Sequence, residues 1–352
     1  MKICVVCNDY KQQFPLLEYG GIEAAFESLC IGLHKYFDTE VKFCAIVPKI
    51  LEKKNNNYNF NIIETDYIES AKSGAPAIIF AQKAREIIQG SNIKPDVIWS
   101  SGSWSAQALH NLNIPTIVTI MDSGGWEENK YIYKENIYYR FASKFIYDLV
   151  FKDADKNDFI NKVKSHSFWL HTGISDEEYD LQTKKENYIL WVAGLNWGPT
   201  NKGLDIFINL AKHRPDQTFV AYGAGNDYLA DHLKQLSKEL KNFNFFGPLR
   251  RGIEHKSVFK KAKLFTFLTQ IPEAFGRTGL EAITKGTPVL GSTKGAVPEL
   301  YAPAGRCTDN LSEMIDTLDV TFDNNAVYAY SQDFHIKKEI EKLLEKSKQI
   351  LL

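Results

Sequence analysis

Short apolar runs, each followed by a stretch with helical spacing, recur in two successive series along this chain, with one polar break between them. The first series comprises residues 2–7, Val41–Val47, Asp96–Ser100, Thr116–Ile120 and Ser167–Leu170. After the first run, Gly20-Gly21 precede Ile22, Phe26, Leu29 and Leu33 at helical spacing, and Ala75–Gln89 reads as another helix. The second series comprises Tyr188–Ala193, Thr218–Tyr222, Asn242–Phe246, Leu264–Leu268 and Pro288–Leu290. Strands that are apolar throughout, alternating with helices, predict parallel sheets covered on both faces. The break at Thr172–Asn187, with its acidic Ser175-Asp176-Glu177-Glu178 and basic Lys184-Lys185, reads as an inter-domain linker. A chain of 352 residues exceeds one ordinary core and suits two of about 150 residues. The expectation is therefore an α/β protein with two Rossmann-like domains, at 1–175 and 188–330. A charged amphipathic helix over 331–352, carrying Ile336, Ile340, Leu343 and Leu344, is free on sequence grounds to pack on either domain.

A net charge of −1 argues against a protein that holds nucleic acid through a broad basic surface. Cys4 and Cys7 form a C-x-x-C inside an apolar strand, where residues three apart point to opposite faces. They read as two buried thiols, and no second cysteine pair or histidine cluster completes a metal site. No signal peptide and no apolar stretch approaching 18 residues are present, so the expected setting is reducing and cytoplasmic. The basic and aromatic stretch from Lys130 to Tyr147 reads as a helix packed within the first domain; the alternative is an interfacial membrane helix.

The segment richest in chemistry is Pro272-Glu273-Ala274-Phe275-Gly276-Arg277-Thr278-Gly279-Leu280-Glu281-Ala282. It joins a strand to a helix, so its backbone N–H groups and helix dipole favour a phosphate. Gly276 would let the backbone approach that anion closely. The two carboxylates suit the hydroxyls that flank the diphosphate of a nucleotide sugar. Taken singly, Glu273 reads as an ordinary loop acid and Glu281 as a solvated helix residue. It is the whole string that points to function.

The same string resembles the signature of glycosyltransferase family 4, retaining enzymes of the GT-B fold. The resemblance continues through Gly286-Thr287-Pro288-Val289-Leu290-Gly291 and Gly295-Ala296-Val297-Pro298-Glu299, and it includes Gly194 to Gly203 and Gly223-Ala224-Gly225. In the first domain, Gly20-Gly21-Ile22-Glu23 resembles the family's glycine-rich loop. The resemblance implies two Rossmann-like domains facing each other across a cleft that takes a nucleotide-sugar donor, a UDP-sugar first and a guanosine donor next. The acceptor would be a glycan, a lipid-linked molecule or a small molecule, and no metal or other cofactor would be required. Glu273 would contact hydroxyls of the donor sugar, Glu281 the ribose, and Lys202 the diphosphate. Gly203, Asn196, Phe275, Gly276, Arg277 and Thr278 would complete the donor site, with Gly20 and Gly21 closing on it. Glu273 and Lys202 are the expected catalytic residues, acting in a same-face displacement assisted by the leaving phosphate.

The sequence departs from the family at two places. Gly194-Leu195-Asn196-Trp197 lacks the Arg that often joins the Lys in clamping phosphates; Arg277, Arg250 or Arg251 would have to replace it. In the first domain, Ser101-Gly102-Ser103-Trp104 stands where many relatives carry a His, and Met121-Asp122 where they carry His-Asp. Ser101 and Asp122 are thus the candidate acceptor residues, and His110 reads as structural. The competing functions are a binding protein that holds nucleotide sugar without transfer, a sugar-nucleotide epimerase, and a nicotinamide oxidoreductase. The last is disfavoured because Gly223-Ala224-Gly225-Asn226-Asp227-Tyr228 lacks the third glycine of a dinucleotide loop.

Overall fold

A computed structural model describes residues 1–7, 21–47, 59–65, 75–127, 130–249 and 252–352. The chain divides into two compact units, Met1–Ser175 with Phe334–Leu352, and Asp176–Asp333.

Among the described residues, the first unit contains seven parallel strands: β1 (Lys2–Val6), β2 (Lys42–Val47), β3 (Asn61–Glu64), β4 (Val97–Ser101), β5 (Thr116–Ile120), β6 (Ile137–Phe141) and β7 (Ser167–Trp169). They are ordered β3-β2-β1-β4-β5-β6-β7. Each side of this sheet has its own core, as alternation along β1 requires. Ile3, Val5 and Cys7 join the core under the Gly21–Phe37 helix, whereas Cys4 and Val6 join the core containing Phe80 and Ala84. Cys4 and Cys7 are thus buried free thiols on opposite faces.

The carboxy-terminal helix, Ile336–Leu351, belongs to this unit and lays Ile336, Ile340, Leu343 and Leu344 against the Gly21–Phe37 side. A buried ion pair ties it down: Arg140 Nη1 lies 2.6 Å from Glu339 Oε1. Arg140 also donates to the carbonyls of Leu170 and His171, and Trp99 Nε1 donates to Ser347 Oγ at 3.0 Å. This pairing accounts for a misreading of the sequence. The stretch from Lys130 to Tyr147 is not one helix; it contains β6 and the separate helix Lys144–Val150. Tyr131, Tyr139 and Phe141 are buried in the unit, and Arg140, which looks like a surface charge in sequence, is neutralised by a residue far along the chain.

The second unit contains β8 (Tyr188–Val192), β9 (Thr218–Tyr222), β10 (Phe243–Phe245), β11 (Leu264–Phe267), β12 (Val289–Gly291) and β13 (Gly305–Cys307). All are parallel, in the order β10-β9-β8-β11-β12-β13. Trp191, Phe207, Phe219 and Phe243 form the centre of one core. The polar run 172–187 contains the division between the units, and its residues are packed. Ile174 is bridged to His335 in the first unit, while Glu178 is buried in the second and pairs with Lys285, which is fully buried, at 2.9 Å. Lys185 donates to the carbonyls of Lys260 and Lys285 and to Thr287 Oγ1.

Among the described residues, no helix is long and apolar enough to cross a membrane.

Candidate active site

In an open parallel sheet, ligands bind beyond the carboxyl ends of the strands where the strand order reverses. In the second unit that point lies between β8 and β11, which pair directly: Leu264 with Ile189, Phe265 with Leu190 and Thr266 with Trp191. The loop after β8 carries Asn196 and Lys202, and the loop after β11 carries Glu273 and Gly276. Strand order therefore brings together residues 71 positions apart, and Lys202 Nζ lies 2.7 Å from Glu273 Oε2. Each side chain is about one-fifth exposed, 18% for Lys202 and 21% for Glu273.

The two loops are fixed to each other by the backbone. Gln270 N and Thr269 Oγ1 both donate to the Asn201 carbonyl, at 2.9 and 3.1 Å, and Trp191 Nε1 donates to the Lys202 carbonyl at 3.0 Å. Gly203 caps the helix Leu204–His213 immediately after Lys202. Asn196 is exposed and lies against Gly225, at the end of the neighbouring strand β9.

Glu273 is held from below by the segment Gly295-Ala296. Ala296 N donates to the Glu273 carbonyl at 2.8 Å, and a Cβ on Gly295 would meet the Glu273 backbone at 2.3 Å. Gly276 caps the helix Arg277–Ile283 with φ +78°, and a Cβ there would lie 2.3 Å from the Phe267 ring. Gly276→Ala therefore meets a left-handed backbone and an aromatic ring at once. A loss of about 1–3 kcal/mol in urea denaturation is expected, with weakened ligand binding at the displaced loop. Phe275 is buried, and Thr278 is half-buried in the first turn of the helix. Tyr301 Oη donates to the Gly276 carbonyl. Burial, and then the charges of Glu273 and Glu281, push that hydroxyl well above its ordinary range, so it stays a donor.

Glu281 is not a solvated helix residue. It is 2% exposed, with Oε1 3.6 Å from Arg277 Nε and Oε2 3.5 Å from His255 Nε2. Arg277 is itself buried, with its guanidinium turned toward Glu281 one helical turn on. His255, on the helix Ile253–Lys261, was not marked by the sequence: a lone histidine among helix residues carries no signal until the fold sets it against Glu281.

In the first unit the order reverses between β1 and β4. Gly21 begins the helix after β1, while Gly20 lies outside the described residues, as do Arg250 and Arg251. Ser101 ends β4, is buried, and its Oγ has no hydrogen-bond partner among the described residues. Asp122 follows β5 and accepts from Lys130 Nζ at 2.7 Å and Gly124 N at 3.1 Å. His110 starts a short 3-10 turn and is half-buried; burial, then Lys134 and Arg85, lower its pKa.

Residues 176–313, which hold Lys202, Glu273 and Glu281, match the family model of glycosyl transferases group 1. No curated protein matches the chain in sequence. Among solved structures, the chain is similar to a glycosyltransferase from Rickettsia africae ESF-5, with a TM-score of 0.71 at 16% identity, covering 99% of this chain and 98% of that one. It is also similar to HepE of Anabaena in complex with UDP-glucose (TM-score 0.66, 15% identity, 98% of this chain and 100% of that chain). A third likeness is to sucrose-phosphate synthase from Thermosynechococcus elongatus (TM-score 0.69, 13% identity, 99% and 98% covered). The shared architecture is the GT-B fold of two Rossmann-like domains. Within the residues that match that family model, Lys202 and Glu273 are paired at the sheet's reversal point.

Proposed function

We propose that this chain is a retaining glycosyltransferase that moves a sugar from a UDP-sugar to a hydroxyl of a glycan, lipid-linked or small-molecule acceptor, without a metal. The observation that carries the reading is the Lys202–Glu273 pair at the strand-order reversal of a glycosyltransferase group 1 domain. A diphosphate entering there offers Lys202 a stronger anionic partner than Glu273. The carboxylate is then released to accept hydroxyl hydrogen bonds from the donor sugar. Glu281 serves the ribose, and amides of Gly276, Arg277 and Thr278 serve the sugar and phosphates.

In this reading, the bond between the anomeric carbon and the diphosphate oxygen breaks, and the acceptor oxygen forms the new bond on the same face. The leaving phosphate takes the acceptor's proton. Negative charge grows on the diphosphate during this step, so a pre-placed cation lowers the barrier more than a dedicated base would. The choice of uridine is supported by the HepE structures, which hold UDP and UDP-glucose.

A thermal-shift panel of UDP, GDP, ADP, dTDP, their common sugars and NAD(H), with no added metal, tests the donor. The expected result is a rise in melting temperature with UDP compounds, through linkage of binding to folding. Glu281→Ala should weaken UDP binding by about tenfold, the value of roughly one lost charge-assisted hydrogen bond. A shift confined to NAD(H), or unaltered UDP affinity in Glu281→Ala, would overturn the assignment. Incubation of the UDP-sugar without acceptor, followed by product analysis, separates transfer from epimerisation.

A further inference from the structure

Five arginines lie among the described residues, and four of them face a carboxylate. Arg140 pairs with Glu339, Arg214 with Asp216 and Asp319, Arg277 with Glu281, and Arg306 with Glu313. Arg85, on the helix Ala75–Gly90 of the first unit, has no carboxylate partner among the described residues. It is half-buried, and its Nε is shielded from solvent with no hydrogen-bond acceptor among those residues. A shielded donor without an acceptor is costly, so the fold gains when an acceptor is brought to it.

Two further nitrogen-bearing side chains stand beside it. Ala84 and Ile88 of the same helix share a core with Leu109, which brings Arg85 to the turn that begins at His110. Asn136 Nδ2 donates to the His110 carbonyl at 3.0 Å and to the Ile114 carbonyl at 3.3 Å, tying that turn to the segment that carries Lys134. Lys134 is exposed, and it too has no ion pair among the described residues. Glu86 and Glu135 adjoin the two cations in sequence, yet no ion pair joins them among the described residues. After burial, Lys134 and then Arg85 lower the pKa of the His110 ring, so both cations reach it. His110 and Lys134 precede β5 and β6, so the cluster lies at the amino ends of these strands. Ser101 and Asp122 lie at the opposite, carboxyl ends of β4 and β5, and Lys202 and Glu273 belong to the other unit.

We propose that Arg85, Lys134 and His110 form a binding site for a phosphate dianion, separate from the donor site. The guanidinium supplies a planar fork of donors and Lys134 a point charge. The imidazole supplies one ring N–H, or an acceptor for the phosphate's own O–H. Two fixed positive charges match two negative ones, which favours a phosphate dianion over a carboxylate. Taken as three solvated charges near helix ends, the same residues would leave Arg85 Nε without an acceptor. The phosphate group is either free in solution or carried on a lipid headgroup, and the two sources are separable by experiment.

The test is calorimetric titration of the full chain with inorganic phosphate at pH 7.5, with chloride holding the ionic strength constant. Sedimentation with phosphatidylcholine vesicles, with and without phosphatidic acid, runs beside it. Lys202→Ala is titrated in parallel, because a site for a diphosphate would also attract phosphate. Phosphate should bind wild type and Lys202→Ala alike. Arg85→Gln should weaken binding by about tenfold or more, through lost charge-assisted hydrogen bonds. Arg85→Lys keeps the charge without the fork and should stay at least about threefold weaker than wild type. Lys134→Gln should cost about threefold, since an exposed charge acts through screened attraction. Melting temperatures in chloride alone show that each variant is folded, and Lys134→Gln, at an exposed position, carries the test if Arg85→Gln does not fold. Binding of inorganic phosphate assigns a soluble phosphate group. Binding confined to phosphatidic acid vesicles, and lost in Arg85→Gln, assigns a lipid headgroup. Affinity that Arg85→Gln and Lys134→Gln leave unchanged, affinity that Lys202→Ala abolishes, or binding to neither probe overturns the site.

Discussion

Glu273→Ala is expected to lower transfer from the UDP-sugar by about 10²-fold or more, and Lys202→Ala by a similar factor. The two residues form one ion pair at 2.7 Å, so they act as a unit, and the double replacement should lose little more than either single one. Unfolding cannot imitate this result. A partly exposed ion pair of this kind contributes at most about 1 kcal/mol to stability, whereas 10² in rate corresponds to about 2.7 kcal/mol. Steady-state kcat/KM of the single and double variants, beside their melting temperatures, checks both halves of the argument. A folded Glu273→Ala protein with near-normal kcat/KM would remove Glu273 from the chemistry.

The largest loss of stability is expected from Lys285→Met. Lys285 is fully buried and donates to the Glu178 carbonyl at 2.7 Å and to Glu178 Oε2 at 2.9 Å. Removing the ammonium leaves a buried carboxylate without its partner, at a cost of about 3–5 kcal/mol at pH 7. Replacing both members together, as Glu178→Leu with Lys285→Met, should recover most of that loss. The pH dependence supplies a second check. Glu178 titrates at about 2 in the fold against an ordinary 4.5, so the stability it contributes is fully present above pH 4.5. It is lost as pH falls from 4.5 toward 2. In Lys285→Met the unpaired carboxylate takes up a proton more readily than in the unfolded chain, so the deficit relative to wild type should shrink on acidification. Urea denaturation of both proteins at pH 7 and pH 4 measures this. A deficit under about 1 kcal/mol at pH 7 would mean that water reaches the pair.

Much of the framework was legible in the chain. Strands β5 and β9 begin and end where the apolar runs Thr116–Ile120 and Thr218–Tyr222 do, because central parallel strands are apolar on both faces. Strands β3 and β13 were not foreseen. They lie at sheet edges, where exposed residues such as Asn61 and Arg306 dilute the apolar signal. Strand β6 escaped for a different reason: Arg140 reads as a solvated charge until Glu339 is brought to it.

The candidate residues were marked by the sequence: Glu273, Gly276 and Glu281 by one local strand-to-helix string, and Lys202 by the resemblance that this string begins. Their arrangement was decided only by the tertiary structure. Pairing of β8 with β11 sets Lys202 against Glu273, and packing of the Ile253–Lys261 helix sets His255 behind Glu281. A sequence records which charges a loop carries; which of those charges face each other depends on strand order and burial.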